Sequence, residues 1–213
     1  MRISRMSRGR GGNLAIAAVT FVALCSGAWL LGSGTETDAP PQPSAAQARS
    51  GTQEDPLSAA ALPPSPPDRI RIPSIRVNAP LTGLGLTPQG SLDVPPAEKK
   101  NLAGWYEAGT TPGERGTAIV AGHVDNADGP AVFYRLGALK KGSTIEVERR
   151  DGTVALFAVD AVEVYGARGF PDQQVYGAAR RPELRVITCG GGYSRATGYL
   201  GNVVVFAHLT GSR

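Results

Sequence analysis

The chain of 213 residues carries 22 Lys and Arg against 18 Asp and Glu, and only two Cys. Four of the basic residues, Arg2, Arg5, Arg8 and Arg10, fall within the first twelve positions, so the remainder is balanced at eighteen of each sign. That balance excludes the basic face of a nucleic-acid binder, and there is no aromatic and basic interleaving of the kind single strands need.

The opening segment 1–12 is basic, and the run NLAIAAVTFVALCSGAWLLG, residues 13–32, has no charged residue. It is long enough to span a bilayer. Arginines precede it while Glu36 and Asp38 follow, which directs the N-terminus to the cytosol and the rest outside. A cleaved secretory signal shares this pattern; the length of the apolar run and Trp29 near its outer end favour an uncleaved anchor. Residues 33–67, with DAPPQPSAAQ and ALPPSPP, hold almost no large apolar side chains and are expected to form an extended tether. One folded domain of about 145 residues is left, expected to occupy 68–213.

In that domain RIRIPSIRV, STIEVER and TVALFAVDAVEV alternate polar and apolar residues, while TAIVAGH, LRVITC and NVVVFAHL are β-branched runs. These read as strands. Gly and Pro punctuate the junctions, and the helical candidates are short: AVFYRLGALK and the stretch around FPDQQVYG. The pattern is mainly β, with about seven or eight strands closing on themselves, since closure removes exposed edges. GLGLTPQG has glycines but no strand-and-helix frame, which excludes a nucleotide loop.

Chemistry centres on Cys189. Its only sequence partner, Cys25, lies in the apolar run, so an internal disulfide is not expected, and an exported thiol is either buried and inert or reactive. A nucleophilic cysteine works as a thiolate, usually beside a histidine. Of the two histidines, His123 ends the run TAIVAG before the polar VDNADGP, and His208 ends NVVVFA near the C-terminus. Cys189 also ends an apolar run next to glycine, so it and His123 both fall at strand ends, where a rigid scaffold presents reactive groups. One Cys and two separated His supply no metal ligand cluster, and no cofactor is expected.

Taken together, TAIVAGHVD, FYRLGALKKGSTIEV, RVITCGG and NVVVFA resemble a sortase, most closely the class F group of membrane-anchored transpeptidases, over about residues 69–209. The family's Thr-x-x-Thr-Cys is here Arg-Val-Ile-Thr-Cys, with Arg185 replacing the first Thr. The resemblance implies a closed eight-stranded β-barrel with short helices. It also implies an enzyme that cleaves a Leu-Pro-x-Thr-Gly-like signal between Thr and Gly and passes the acyl group to an amine. Carried over by motif, Cys189 is the nucleophile and His123 the acid–base group; His208 has no counterpart. The implied partners are secreted proteins with C-terminal sorting signals and a peptidoglycan precursor or cross-bridge amine. A barrel that has lost activity and only binds wall or surface-protein peptides is the alternative.

The arginine of the family site is the departure. In better-known sortases it opens the strand after the Cys loop, and here Asn202 holds that place after Leu200 and Gly201. Arg185 shares a strand face with Cys189, but four residues at about 3.3 Å each separate them by about 13 Å. Arg195, six residues beyond the thiol in a Gly-rich loop, is the expected oxyanion or peptide-gripping group.

Overall fold

The computed structural model describes residues 39–49, 59–196 and 198–213. The expected basic segment and anchor lie outside the described residues, among which no helix is long and apolar enough to cross a membrane.

The alternating and β-branched runs become strands: β1 Pro67–Ile72, β2 Val77–Leu84, β3 Ala103–Tyr106, β4 Gly116–Gly122, β5 Asp125–Asn126, β6 Gly129–Pro130, β7 Thr144–Arg149, β8 Val154–Gly166, β9 Pro182–Ser194 and β10 Gly198–Ser212. Eight of them close a barrel in the order β1-β2-β3-β4-β9-β10-β8-β7, with β7 pairing back onto β1. Most neighbours are antiparallel; β2 with β3 and β4 with β9 are parallel. The mainly β closed barrel expected from the sequence is what forms.

Strand alternation divides the side chains between two cores. Ala118 and Val120 of β4, Leu184 and Val186 of β9 and Val203, Val205, Ala207 and Leu209 of β10 fill the barrel with Ile70, Phe133, Leu136 and Phe157. The opposite faces of the same strands carry Ile187, Val204 and Phe206, which pack outside the barrel with Ala161 and with Val175 of the short helix α1, Asp172–Tyr176. Here the helical expectation around FPDQQVYG holds.

Two local readings are corrected. RIRIPSIRV is not one strand: Pro73–Ile75 forms a 3₁₀ turn, Arg76 adopts the left-handed conformation (φ 60°), and the chain folds back as the β1–β2 hairpin. AVFYRLGALK is not an α-helix. Its hydrogen bonds run three residues back, Leu136 N to Phe133 O and Leu139 N to Leu136 O among them, and only Leu136–Ala138 is helical, of the 3₁₀ type. Spacing by three puts Phe133, Leu136 and Leu139 on one side, where the barrel buries all three.

Within the expected tether, Ala59 N donates to Leu209 O and Leu62 N to Gly113 O. Residues 40–49 also lie against the barrel: the Arg49 backbone N–H donates to Glu163 Oε1, and its guanidinium stacks 3.7 Å from the Phe206 ring centre.

Candidate active site

The site grows from the parallel seam between β4 and β9. Their register runs from Gly116 opposite Pro182 to Ala121 opposite Ile187; continued by two residues it sets His123, just past the end of β4, against Cys189, which lies within β9 rather than at the strand end its sequence suggests. The Thr188 hydroxyl ties the end of β4 to the middle of β9 by donating to the Gly122 carbonyl at 2.8 Å, and both partners are buried. A Thr before the Cys is visible in the sequence, but its reach to the neighbouring strand is not, because that depends on parallel pairing.

His123 is half-buried, and its Nε2 lies 2.6 Å from the Pro95 carbonyl. A carbonyl can only accept, so Nε2 carries the hydrogen and the neutral ring keeps Nδ1 as its basic nitrogen. Nothing in the sequence marks Pro95 for this part.

Cys189 is a free thiol at the surface. It shares the outward face of β9 with Ile187, and its pKa is raised, first by burial of the sulfur against the protein and then by the Asp125 carboxylate. Asp125, two residues past His123, accepts a hydrogen bond from the Tyr199 phenol, whose own pKa is pushed up by burial and by that carboxylate. Thiol, imidazole, Asp125 and Tyr199 thus occupy one end of the barrel. The protonated thiol is the resting form, and a base must act before sulfur attacks.

A groove of about 630 Å³ runs along the outer wall beside this end; Cys189 and His123 do not line it, but Ala121, Ile187 and Asn202, the ladder partner of Cys189, do. Its floor is Ile119 and Ala121 of β4, Ile187 of β9 and Asn202 of β10; residues of the 86–94 segment, with Asp172 and Tyr176 of α1, form its sides. The stretch GLGLTPQG therefore supplies a groove wall. Leu86 is 54% exposed and Val94 52%, so the rim is apolar and uncovered.

The arginines fall in different places. Arg185 is buried, its Nη2 donates to Glu183 Oε2 at 2.6 Å, and its guanidinium lies 4.6 Å from the Phe206 ring centre. Arg195 occupies the turn between β9 and β10 and is exposed. The paired hairpin stems separate it from Cys189: Gly190 pairs with Gly201, Tyr193 with Tyr199 and Ser194 with Gly198. Gly191 and Gly192, at φ 76° and 91°, bend that stem in a conformation that side-chain-bearing residues avoid. His208 is remote from the thiol; it is buried, with Nδ1 2.7 Å from Asp160 Oδ1. Among the described residues no group of His, Cys, Asp and Glu side chains is placed to hold a metal ion.

A closed barrel with a thiol on one strand and an imidazole just past the end of the adjacent parallel strand, beside an outer-wall groove, is the framework of a cysteine transpeptidase. The chain belongs to the sortase family: the sortase domain model matches residues 70–210. Its fold is similar to that of Listeria monocytogenes sortase A, at 18% identity and a TM-score of 0.51 over 68% of this chain and 87% of that one. It is also similar to Corynebacterium diphtheriae sortase A, at 20% identity and a TM-score of 0.52 over 69% and 62% of the two chains. No curated protein matches the chain.

Proposed function

We propose that this protein is a membrane-anchored sortase of the class F type, which cleaves a Leu-Pro-x-Thr-Gly-like signal between Thr and Gly and transfers the acyl group to a cell-wall amine. The observation that carries this reading is the parallel β4–β9 register, which sets His123 against Cys189 beside the groove floored by Ala121 and Ile187. An extended peptide laid along Ile119, Ala121 and Ile187 would bury its apolar residues on that floor and bring its carbonyl to the sulfur.

In this mechanism Nδ1 of His123 takes the thiol proton, and sulfur attacks the Thr carbonyl. The imidazolium then protonates the departing Gly amine, leaving a thioester on Cys189. An incoming amine loses its proton to His123 and resolves the thioester as a new amide. Arg195 grips the peptide from the hairpin turn. The clients are secreted proteins with C-terminal sorting signals, and the acceptor is a peptidoglycan precursor or cross-bridge amine. The anchor at 13–32, with the N-terminus cytosolic, holds the domain outside the membrane, a topology supported by the four arginines before the uncharged run.

The test is to incubate the full chain in detergent micelles with a Leu-Pro-x-Thr-Gly peptide and a glycine amine, and to look for a thioester on Cys189 by mass spectrometry. Cys189→Ala should abolish product, and His123→Ala should lower turnover at least ~100-fold. Peptide that binds with no acyl-enzyme in the unaltered protein would favour a barrel that only binds.

A further inference from the structure

The residue across the β9–β10 ladder from Cys189 is Asn202. Directly opposed residues of an antiparallel pair project to one face with Cβ atoms about 4.5–5.5 Å apart. Asn202 lies on that outward face, since it lines the same groove as Ile187. It is half-buried, and no hydrogen bond of its carboxamide to the described residues is present. A carboxamide must therefore be satisfied by water or by whatever enters the groove.

The charged alternatives are further away or engaged. Arg185 is held between Glu183 and Phe206. Arg195, six residues along β9 and its turn, stands at most about 20 Å from the thiol at 3.3 Å per residue. Asp125 only accepts when ionised, and its electrostatic effect on the thiol opposes negative charge at this point.

We infer that Asn202 is a catalytic residue whose side-chain N–H donates to the oxygen of the carbonyl that Cys189 attacks, an assignment that rests on the transpeptidase reading above. As the Sγ–C bond forms, the carbonyl π pair moves onto oxygen and creates a negative charge beside the carboxamide. When the tetrahedral centre collapses, the C=O bond returns and the C–N bond breaks, with His123 supplying the proton to the leaving amine. Asn202 changes no covalent bond. The strand pairing fixes its Cα beside that of Cys189, and the donated N–H contributes more in the transition state than in the bound substrate.

The experiment compares Asn202→Ala and Asn202→Leu with the unaltered full chain in micelles. Single-turnover acylation by a Leu-Pro-x-Thr-Gly peptide gives the chemical step, iodoacetamide alkylation across pH gives the state of the thiol, and thermal unfolding reports on the fold. Both variants should lose about 100-fold in acylation rate, with KM within a few-fold and with alkylation profile and unfolding temperature unchanged. Leu is close to Asn in size but has no donor, so a loss in both variants tracks the N–H. Acylation within about threefold of normal in either variant overturns the assignment. So does a matching loss in alkylation, which would mean that Asn202 acts on the thiol. Failure of the unaltered protein to acylate while alkylating normally would instead overturn the transpeptidase reading, and this assignment with it.

Discussion

At the level of single residues, the site sets an acidic neighbour against its nucleophile. Burial raises the Cys189 thiol, and the Asp125 carboxylate raises it further, so the thiolate fraction at neutral pH is held down. Removing the charge in Asp125→Asn should therefore lower the thiol pKa and move the acid limb of kcat/KM toward lower pH. Alkylation rate against pH reads the same shift, and an unmoved or upward-moved profile would contradict this account. The sequence exposes Cys189 and His123 as chemistry, since each closes an apolar run beside a glycine, but only His123 follows a strand end: β9 runs on past Cys189 to Ser194. It does not expose that Thr188 clamps one end to the other, that the Pro95 carbonyl selects the histidine tautomer, or that Tyr199 holds Asp125. Each of those contacts joins segments whose separation in sequence carries no periodic signal.

Among the elements, the β9–β10 hairpin decides what each arginine can do. Arg185 faces outward in the ladder, but Phe206 and Glu183 take its guanidinium, and burial opposes its charge enough to lower its pKa. Arg185→Ala would take the nearer of two guanidiniums from the half-buried Glu183 carboxylate and leave Arg181 in place, a loss of about 1.5–3 kcal/mol for one charge-assisted hydrogen bond. Chemical denaturation should read this as a lower midpoint. Arg195→Ala should leave stability alone and act on the peptide, raising KM, with Arg195→Lys rescuing little if two directed N–H groups are needed. Severe loss of turnover in Arg185→Ala at unchanged stability, with Arg195→Ala normal, would reverse the two roles. Strand existence was legible here, but two element identities were not. Arg76 turns RIRIPSIRV into a hairpin through a left-handed residue that alternation cannot reveal. The three-residue spacing of Phe133, Leu136 and Leu139 suits successive 3₁₀ turns as well as a helix. β3 is only four residues long, and Gly104 lets Leu84 lie across it: a Cβ there would stand 2.4 Å from Leu84 Cγ.

For the molecule as a whole, the closed barrel separates support from chemistry along the same strands. Far from the thiol, His208, Asp160, Arg181 and Glu183 form a partly buried network, with Arg181 Nε 2.9 Å from Glu183 Oε1. Burial raises both carboxyls. For Asp160 burial outweighs His208 and Arg181, leaving its pKa raised, whereas Arg185 and Arg181 more than offset burial at Glu183 and leave it lowered. The signs follow: Glu183 stabilises the fold above the ordinary glutamate range and loses that contribution as pH falls through its folded pKa, while the raised Asp160 works in the opposite sense. His208→Ala should therefore destabilise the barrel by about 1–3 kcal/mol, by leaving Asp160 short of a partner, with turnover per folded molecule nearly unchanged. Loss of turnover without loss of stability would bring His208 into the chemistry. The parallel β4–β9 seam has a further consequence, in the order of events during folding. Thr188 and Gly122 stand 66 residues apart, and their contact closes a loop that includes β7, β8 and α1. Such non-local pairing is slow, because chain entropy is lost before the contact is gained. Until this seam closes Cys189 and His123 are unrelated side chains, so the reactive pair exists only once the non-local pairing of β4 with β9 has formed.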